Sequence, residues 1–538
     1  MRESILVVLI LISAFSCAFV AYMLNTDFGR VEVRSLTYPE PDGISSLLYK
    51  PKSVEGKTPV AILVHGVSSS KESMSAIALE LAKRGISSLC IDAKGHGDSG
   101  GYLNVSSDPT IGLKEALDFL RSQEFIENVS IALIGHSLGA SAVRASSTES
   151  VAQVLIGGGF SVVKQNAYTE LNSTKPKNVL FIVGRGDVLF DSNDLRKELA
   201  PVFGVSGEIE VGRVYGDFSI GTARKLVVPQ TTHLLEPVDP VAVQETVNWI
   251  CLSLAEKCDH FDITYHYRDS LMITSILLIL SLTFPLSRFL MKPESHHTIE
   301  RRLKESTALI LWVLPSFLIF VPSFLIGMNV RFPPVLFGNS VTIWFSLSSI
   351  YGFLLIKFAS GKFDFKLEMS NPARQLLAAS ITFLVIYSFF LIIKSLSGMN
   401  LWIYVPIFRV LGFRRALLMT YFLPFFFSYF LIENAISHAE GEKSLLGLVK
   451  FTGVRVAPII LILLIHYSSI FLFNFKIFGS LAGFSLEFLP LICFLMSLAG
   501  VYTFWFNKLM GSLLTGAFLN SLIFSWASAS VFPFGGFS

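Results

Sequence analysis

The second half of the chain, residues 271–534, is a succession of apolar stretches that are each long enough to cross a lipid bilayer. A helix of about 20 apolar residues spans the hydrocarbon core of a bilayer and pairs its own backbone groups there. Of all 538 residues, 52% are hydrophobic and only 15% are charged, which is outside the range of ordinary soluble proteins. This half is therefore predicted to be an all-α polytopic transmembrane bundle, whereas residues 30–265 have the composition of a globular domain.

An apolar segment also opens the chain, at residues 5–24. It is either a cleaved signal peptide or a retained signal anchor. We favour the anchor, because no clear small-residue cleavage site precedes Asn25. A second span is predicted near 270–287, and seven more follow at 307–327, 335–356, 375–394, 416–436, 456–475, 481–503 and 511–532.

Basic residues in short loops predict which side of the membrane each loop faces. The loop 287–306 is predicted to be cytoplasmic, and the loops 357–374 and 437–455 have the same charge pattern. The globular residues 25–268 are then outside, so we expect a multi-pass protein of the cell membrane with an extracytoplasmic domain. The basic residues of the loop 287–306 are Arg288, Lys292, Arg301, Arg302 and Lys304. N-glycosylation sequons at Asn104, Asn128 and Asn172 are compatible with an outer location of the globular domain.

Residues 401–411 do not fit this count. The segment is apolar but short, and Arg409, Arg414 and Arg415 cluster at its end, on the predicted outer side and against the positive-inside rule. Two interpretations stay open. The segment is either a re-entrant or interfacial helix, or a tenth span that would invert everything after it.

Short β-branched runs alternate with amphipathic helical patterns in the globular region, which predicts an α/β fold with a doubly wound, mostly parallel sheet opened by an antiparallel hairpin. The predicted strands are 31–38, 45–50, 59–64, 86–92, 129–134, 153–157, 178–183 and 225–229. The predicted helices are 71–84, 111–123, 138–146, 191–199 and 240–256.

A Gly-His-Ser-Leu-Gly pentapeptide at 135–139 joins one of these strands to the following helix. Glycines on both sides of Ser137 allow the sharp turn that raises a serine hydroxyl above the edge of a sheet. The strand-turn-helix context predicts that Ser137 is a nucleophile, because the pentapeptide alone would be weak evidence.

Acyl transfer also needs a base and an acid that orients it. His233 lies in a loop after the last strand and is the predicted base. Asp187 follows the preceding strand, with Asp191 as its rival four residues later. The order Ser137, Asp187, His233 is that of the α/β-hydrolase arrangement and differs from both common serine-protease orders.

The developing oxyanion needs backbone N–H donors. Leu138 begins the helix after the nucleophile, and Val67 follows the His65-Gly66 pair at the end of the third strand. We assign these two N–H groups to the oxyanion hole. His65 belongs to the strand end and is interpreted as a residue that braces the loop, since His233 has the better position for a base.

These segments together resemble the α/β-hydrolase superfamily, nearest to its small esterase, lipase and dienelactone-hydrolase-like members. The motifs are His65-Gly66, 92–99, 135–139, 184–187 and Thr232-His233. The resemblance covers about residues 30–257, and it implies that 92–99 is a structural turn, with His96 and Asp98 in the scaffold. It is specific for the fold but not for the substrate. The Gly-rich insert 205–222 is a departure whose role the sequence does not give.

Five cysteines are too few and too scattered for a disulfide framework or a zinc site, and all five are interpreted as structural. Cys251 and Cys258 fall within one predicted helical stretch, about 10 Å apart along its axis, which is too far for a disulfide.

The sequence thus predicts three segments: an anchor at 1–24, a hydrolase domain at 25–265 and a multi-pass domain at 266–538. The expected activity is that of a serine hydrolase for esters, with amides or thioesters as alternatives, acting on a small-molecule or lipid substrate beside membrane lipids. No cofactor, metal or nucleic-acid partner is expected, because no Walker, zinc or dinucleotide motif occurs. The alternative function is a polytopic transport or signalling protein whose outer domain binds a ligand without turning it over.

Overall fold

The computed structural model of the chain describes residues 2–39, 43–52, 54, 56–146, 150–161, 170–254, 262–291, 305–360, 371–398, 400–402, 407–437, 444–473, 475 and 486–536. Several predictions lie outside these residues. They are the basic positions Lys292, Arg301, Arg302, Lys304, Lys362, Lys366 and Lys443, the thiol of Cys258 and the side chain of Asn128.

Eight strands form one sheet in the order β1-β2-β4-β3-β6-β7-β8-β9. The first hairpin and the β2–β4 pair are antiparallel, and all other neighbours are parallel. The strands are β1 Val31–Tyr38, β2 Ile44–Pro51, β3 Thr58–Val64, β4 Ser87–Ile91, β6 Ile126–His136, β7 Ala152–Ile156, β8 Val179–Ile182 and β9 Arg224–Val227. The predicted α/β fold with a doubly wound, mostly parallel sheet is confirmed.

Helices cover both faces of this sheet, because its central strands are apolar on both sides and are buried throughout. The helices of this region are α2 Ser75–Ala82, α3 Leu113–Arg121, α4 Leu138–Ala145, α5 Ser192–Glu198 and α6 Pro240–Leu254. Two hydrophobic cores result, one on each side of the sheet.

The insert at 205–222 lies along the outer edge of β9. Tyr215 and Arg224 form an antiparallel bridge, and the Gly212 N–H donates to the Leu226 carbonyl at 2.8 Å. An uncovered edge strand exposes unpaired backbone groups, so the insert protects the end of the sheet.

Helices long and apolar enough to cross a membrane occur at all of the predicted positions, and the described residues contain nine such spans. They are Glu3–Asn25, Tyr265–Leu290, Ile310–Gly327, Gly338–Phe358, Pro372–Ser397, Phe413–Ser437, Leu445–Phe473, Leu489–Leu509 and Leu513–Val531. The helices that build them are α1 Arg2–Asn25, α7 Tyr265–Ser281, α8 Thr283–Leu290, α9 Glu305–Leu318, α10 Phe320–Gly327, α11 Gly338–Ser360, α12 Pro372–Ser397, α13 Phe413–Ser437, α14 Leu445–Phe473, α15 Leu489–Phe504 and α16 Leu513–Val531.

The short segment between α12 and α13 contains no helix in its described residues 400–402 and 407–412. Arg409 of this segment, and Arg414 and Arg415 at the start of α13, instead contact the hydrolase-like half. Arg409 lies 2.8 Å from the Asp98 carboxylate, and Arg415 donates to the carbonyls of Gly97 and Ala529. Arg414 donates to the Gly101 carbonyl at 3.3 Å.

A group of charges, the junction cluster of Lys71, Glu72, Asp92, Asp98 and Arg409, joins the two halves, and all of its members except the exposed Asp98 are buried. Lys71 Nζ lies 2.5 Å from Asp92 and 3.1 Å from Asp98, and Arg409 lies 3.7 Å from Glu72. Burial opposes the charge on Glu72, but Arg409 and Lys71 lower its pKa to about 2. Charges this deep are tolerated only when they are paired, so the cluster fixes how the halves meet.

Cys251 is disulfide-bonded, so the expectation that a disulfide is out of reach for this cysteine is wrong. The expectation assumed one continuous helix beyond Cys251. The described part of α6 ends at Leu254, three residues after Cys251. Cys17, Cys90 and Cys493 are free thiols.

Candidate active site

Ser137 occupies the sharp turn between β6 and α4. Its φ of 54° and ψ of −114° are a conformation that residues with a side chain rarely adopt. The flanking glycines are required by close packing, because a Cβ on Gly135 would lie 2.3 Å from the Gly139 carbonyl oxygen, and one on Gly139 would lie 2.1 Å from that of Val64. The pentapeptide thus holds Ser137 in a strained elbow at the end of the sheet.

The three residues expected to act together lie in hydrogen-bonding contact. His233 Nε2 is 2.9 Å from Ser137 Oγ, and His233 Nδ1 is 2.9 Å from Asp187 Oδ2. Asp187 follows β8 and His233 follows β9, so parallel strands deliver both side chains to the edge where Ser137 lies. The rival Asp191 is the N-cap of α5, where it accepts a 2.8 Å hydrogen bond from the Asn193 N–H.

Hydrogen bonds and charge set the protonation of this group. Burial opposes ionisation of Asp187, yet His233 and the N–H groups of Leu189 and Phe190 hold its pKa below the usual value. Burial likewise opposes the charge on His233, but the neighbouring Asp187 outweighs it and raises the His233 pKa. The carboxylate therefore stays ionised beside an imidazole of increased basicity.

Two further groups surround His233. His136 Nε2 donates to the His233 carbonyl at 2.9 Å, and Glu236 Oε1 accepts from the Gly184 N–H at 2.6 Å. Burial, followed by Asp187, raises the pKa of Glu236 well above its usual value, so this carboxyl is neutral. Glu236 therefore orders the loops around the site without adding a second negative charge to Asp187.

His136, His233 and Glu236 each offer one atom that could bind a metal. These three atoms lie within 4.8 Å of one another, a spacing that a metal site requires. The hydrogen bonds already described occupy His136 Nε2 and both nitrogens of His233. The donor set therefore fits a hydrogen-bond network better than a cation site.

The predicted oxyanion donors flank the serine. Val67 lines the same pocket as Ser137, and Leu138 is the first residue of α4, so its N–H is not used within the helix. His65 is fully buried behind them. Its Nδ1 lies 2.6 Å from the Gly66 carbonyl, and its Nε2 accepts from the Ala93 N–H at 3.0 Å, so His65 joins two loops.

The pocket in front of Ser137 is closed on its other side by the membrane half. Glu487 and Phe488, just before α15, line it together with Ser137, His233 and Leu234. Burial raises the pKa of Glu487 to about 7; the nearby His233 lowers this pKa and Asp187 raises it, each by a smaller amount. The sequence does not show that Glu487 meets the site, because the two are far apart in the chain. An acidic residue inside the predicted span 481–503 is the only signal that it offers.

Comparison with known proteins agrees with this architecture. Residues 57–174 match the family model described as serine aminopeptidase, S33. Similar solved structures include a Thermus thermophilus protein, with 20% identity over 42% of this chain and 100% of that protein, and a TM-score of 0.28. A Pyrococcus furiosus esterase has 20% identity over 41% of this chain and 89% of that protein, with a TM-score of 0.30.

A Xanthomonas campestris α/β serine hydrolase without a lid has 16% identity over 43% of this chain and 97% of its own, with a TM-score of 0.31. The comparison with curated proteins gave no significant match. The sheet order, the strained serine turn and the family match define a serine-hydrolase-like domain of the α/β-hydrolase type. The apolar helices that follow it are those of a membrane protein.

Proposed function

We propose that the protein is a membrane-anchored serine hydrolase that cleaves esters through Ser137, His233 and Asp187, with amides or thioesters as alternative substrates. The observation that carries the proposal is the continuous hydrogen-bonded line from Ser137 Oγ through His233 to Asp187, with both distances at 2.9 Å. Such a line activates a serine that is otherwise a weak nucleophile.

In this mechanism, His233 Nε2 takes the proton from Ser137 as Oγ attacks the ester carbonyl carbon. The N–H groups of Val67 and Leu138 hold the oxyanion, and Asp187 stabilises the imidazolium that forms. His233 then passes the proton to the departing alcohol, which leaves an acyl group on Ser137. Water attacks this acyl-enzyme with His233 again as the base, and the carboxylic acid is released.

We further propose that the hydrolase domain faces the outside of the cell membrane. The charge pattern of the loops supports this orientation. The disulfide at Cys251 supports it independently, since disulfides persist in oxidising compartments. The domain lies between α1 and α7 and is thus tethered at both ends, which supports a substrate that the membrane presents.

A membrane-impermeant fluorophosphonate-biotin probe tests catalysis and orientation together. Added to intact cells that produce the protein, the probe should label the wild type and leave Ser137→Ala unlabelled at equal membrane content. Labelling only after permeabilisation would place the domain inside. A wild type unlabelled in both conditions would exclude the activated serine and favour the ligand-binding alternative.

A further inference from the structure

An apolar pocket lies inside the membrane half, directly behind the active site. Its cavity volume is about 70 Å³, which has room for several water-sized groups and so for the narrow end of a chain. Its walls come from the hydrolase-side ends of α10, α11, α15 and α16, with Phe426 of α13 at the back. Nearly all of its lining is aliphatic or aromatic, and Ser528 is the one polar residue among the described lining residues.

Phe488 connects this pocket to the reacting serine. It is part of the wall of the pocket that contains Ser137 and His233, and it is also part of the wall of the apolar pocket. Phe488 therefore lines both pockets and separates one from the other. A flexible apolar chain that starts at Ser137 would pass Phe488 and enter a pocket in which it leaves almost no polar group without a hydrogen bond.

The apolar pocket also has the depth and shape of a channel for a chain. Along α15 its lining runs from Phe488 to Leu495, a rise of about 10 Å at 1.5 Å per residue. Phe337 stands at its mouth in a left-handed conformation with φ of 63°, and its ring lies 6.0 Å from that of Phe488. Strain of this kind in a bulky residue persists at ligand clamps, where the surrounding structure holds it.

We propose that this pocket binds the acyl chain of a lipid ester whose carbonyl is attacked by Ser137. The proposal rests on the proposed hydrolase function and specifies its substrate class: medium- or long-chain acyl esters in preference to acetyl esters. Each methylene that leaves water adds to the binding free energy, so a longer chain should bind more tightly than an acetyl group. The membrane half then acts as the specificity element of the enzyme, with Phe488 as the passage between the reacting carbonyl and the chain site.

Chain-length selectivity tests the proposal. For the purified full chain in lipid nanodiscs, kcat/KM for p-nitrophenyl octanoate should exceed that for p-nitrophenyl acetate at least tenfold. Val341 lines the pocket and is half-buried, so Val341→Phe fills it and should reduce the octanoate-to-acetate ratio at least tenfold. Val449→Phe is the matched control, because Val449 is 59% exposed on α14 and lies outside the pocket.

Ile492→Phe fills the same pocket from α15 and is the second pocket-filling variant to measure if Val341→Phe does not fold. An unchanged ratio in a folded pocket-filling variant would overturn the proposal, and so would an equal loss in Val449→Phe. A wild type that hydrolyses neither ester would refute the proposed function instead. Photocrosslinking of Ser137→Ala with a diazirine-tipped octanoyl ester would then decide the inference by itself. Crosslinks in 320–345 or 524–532 support it, and crosslinks confined to 445–473 overturn it.

Discussion

The two walls of the active-site pocket differ in how the chain builds them. One wall carries Ser137, Asp187 and His233, each placed by a strand end within one domain. The opposite wall carries Glu487 and Phe488, from the start of a membrane-spanning helix far along the chain. The first wall carries the residues that we propose as catalytic. The second comes from the membrane half, and in our proposal it determines substrate preference.

The same contrast appears at the junction of the halves. Arg409, Arg414 and Arg415 violate the positive-inside rule when they are considered alone. Each of them finds its partner in the hydrolase-like half: a carboxylate for Arg409 and backbone carbonyls for the other two. A charge that contradicts a local rule can thus indicate a contact that is distant in sequence.

The largest effect is expected within the catalytic wall. Asp187→Asn should reduce turnover by more than about 100-fold, because the base loses the carboxylate that orients it and stabilises its charge. Asp191→Asn is the matched control and should stay within a few-fold, since Asp191 caps α5. Hydrolysis kinetics on the purified full chain measure both. The reverse ranking would transfer the acid role to Asp191.

A smaller effect is expected at the junction. Arg409→Met removes one cation from the carboxylates of Asp98, Glu72 and Asp92 and leaves them with Lys71 and with Lys394, which lies 3.7 Å from Asp98. Breaking a buried ion pair costs about 3–5 kcal/mol. Thermal unfolding in detergent should therefore begin at a lower temperature.

Arg414→Met provides the comparison. Arg414 packs over the rings of Tyr102 and Phe534 and pairs with no carboxylate among the residues that the structure describes. Its loss should cost about 1 kcal/mol or less. Equal destabilisation by both substitutions would show that the junction cluster does not hold the halves together.

The smallest effect concerns Glu487 across the pocket. His233 must be neutral to accept the serine proton, and its pKa is raised above 6.5, so hydrolysis should fall as the pH drops through that raised pKa. Asp187 is the main cause of the raised value, and Glu487 adds to it. Glu487→Gln removes this contribution, and the acid limb of kcat/KM should move to lower pH.

A pH profile of ester hydrolysis measures this shift. Because Glu487 has a pKa of about 7 and is only partly ionised on the acid limb, we expect at pH 7 a gain of about twofold or less relative to the alkaline plateau of each variant. The exposed Glu198→Gln should leave the midpoint where it is. A midpoint that stays in place or rises in Glu487→Gln would mean that the two walls do not interact electrostatically.

Local patterns were sufficient for the strands, the spans and the strained serine turn. Buried parallel strands are continuous apolar runs, and membrane helices are long ones, so each could be recognised within its own window of sequence. The disulfide at Cys251 was missed because the prediction assumed helical spacing between this residue and Cys258. Helix ends depend on contacts and caps that periodicity does not report.

The sequence by itself determined that an α/β-hydrolase-like domain precedes a set of membrane-spanning helices, because hydrophobic period and length are local properties of the chain. Only the tertiary structure decided that Glu487 and Phe488 face Ser137, that Arg409 meets Asp98, and that an apolar pocket lies behind the active site. These are contacts between residues that are far apart in the chain. Their positions follow from how the helices pack against one another and against the sheet, and no single window of sequence contains that information.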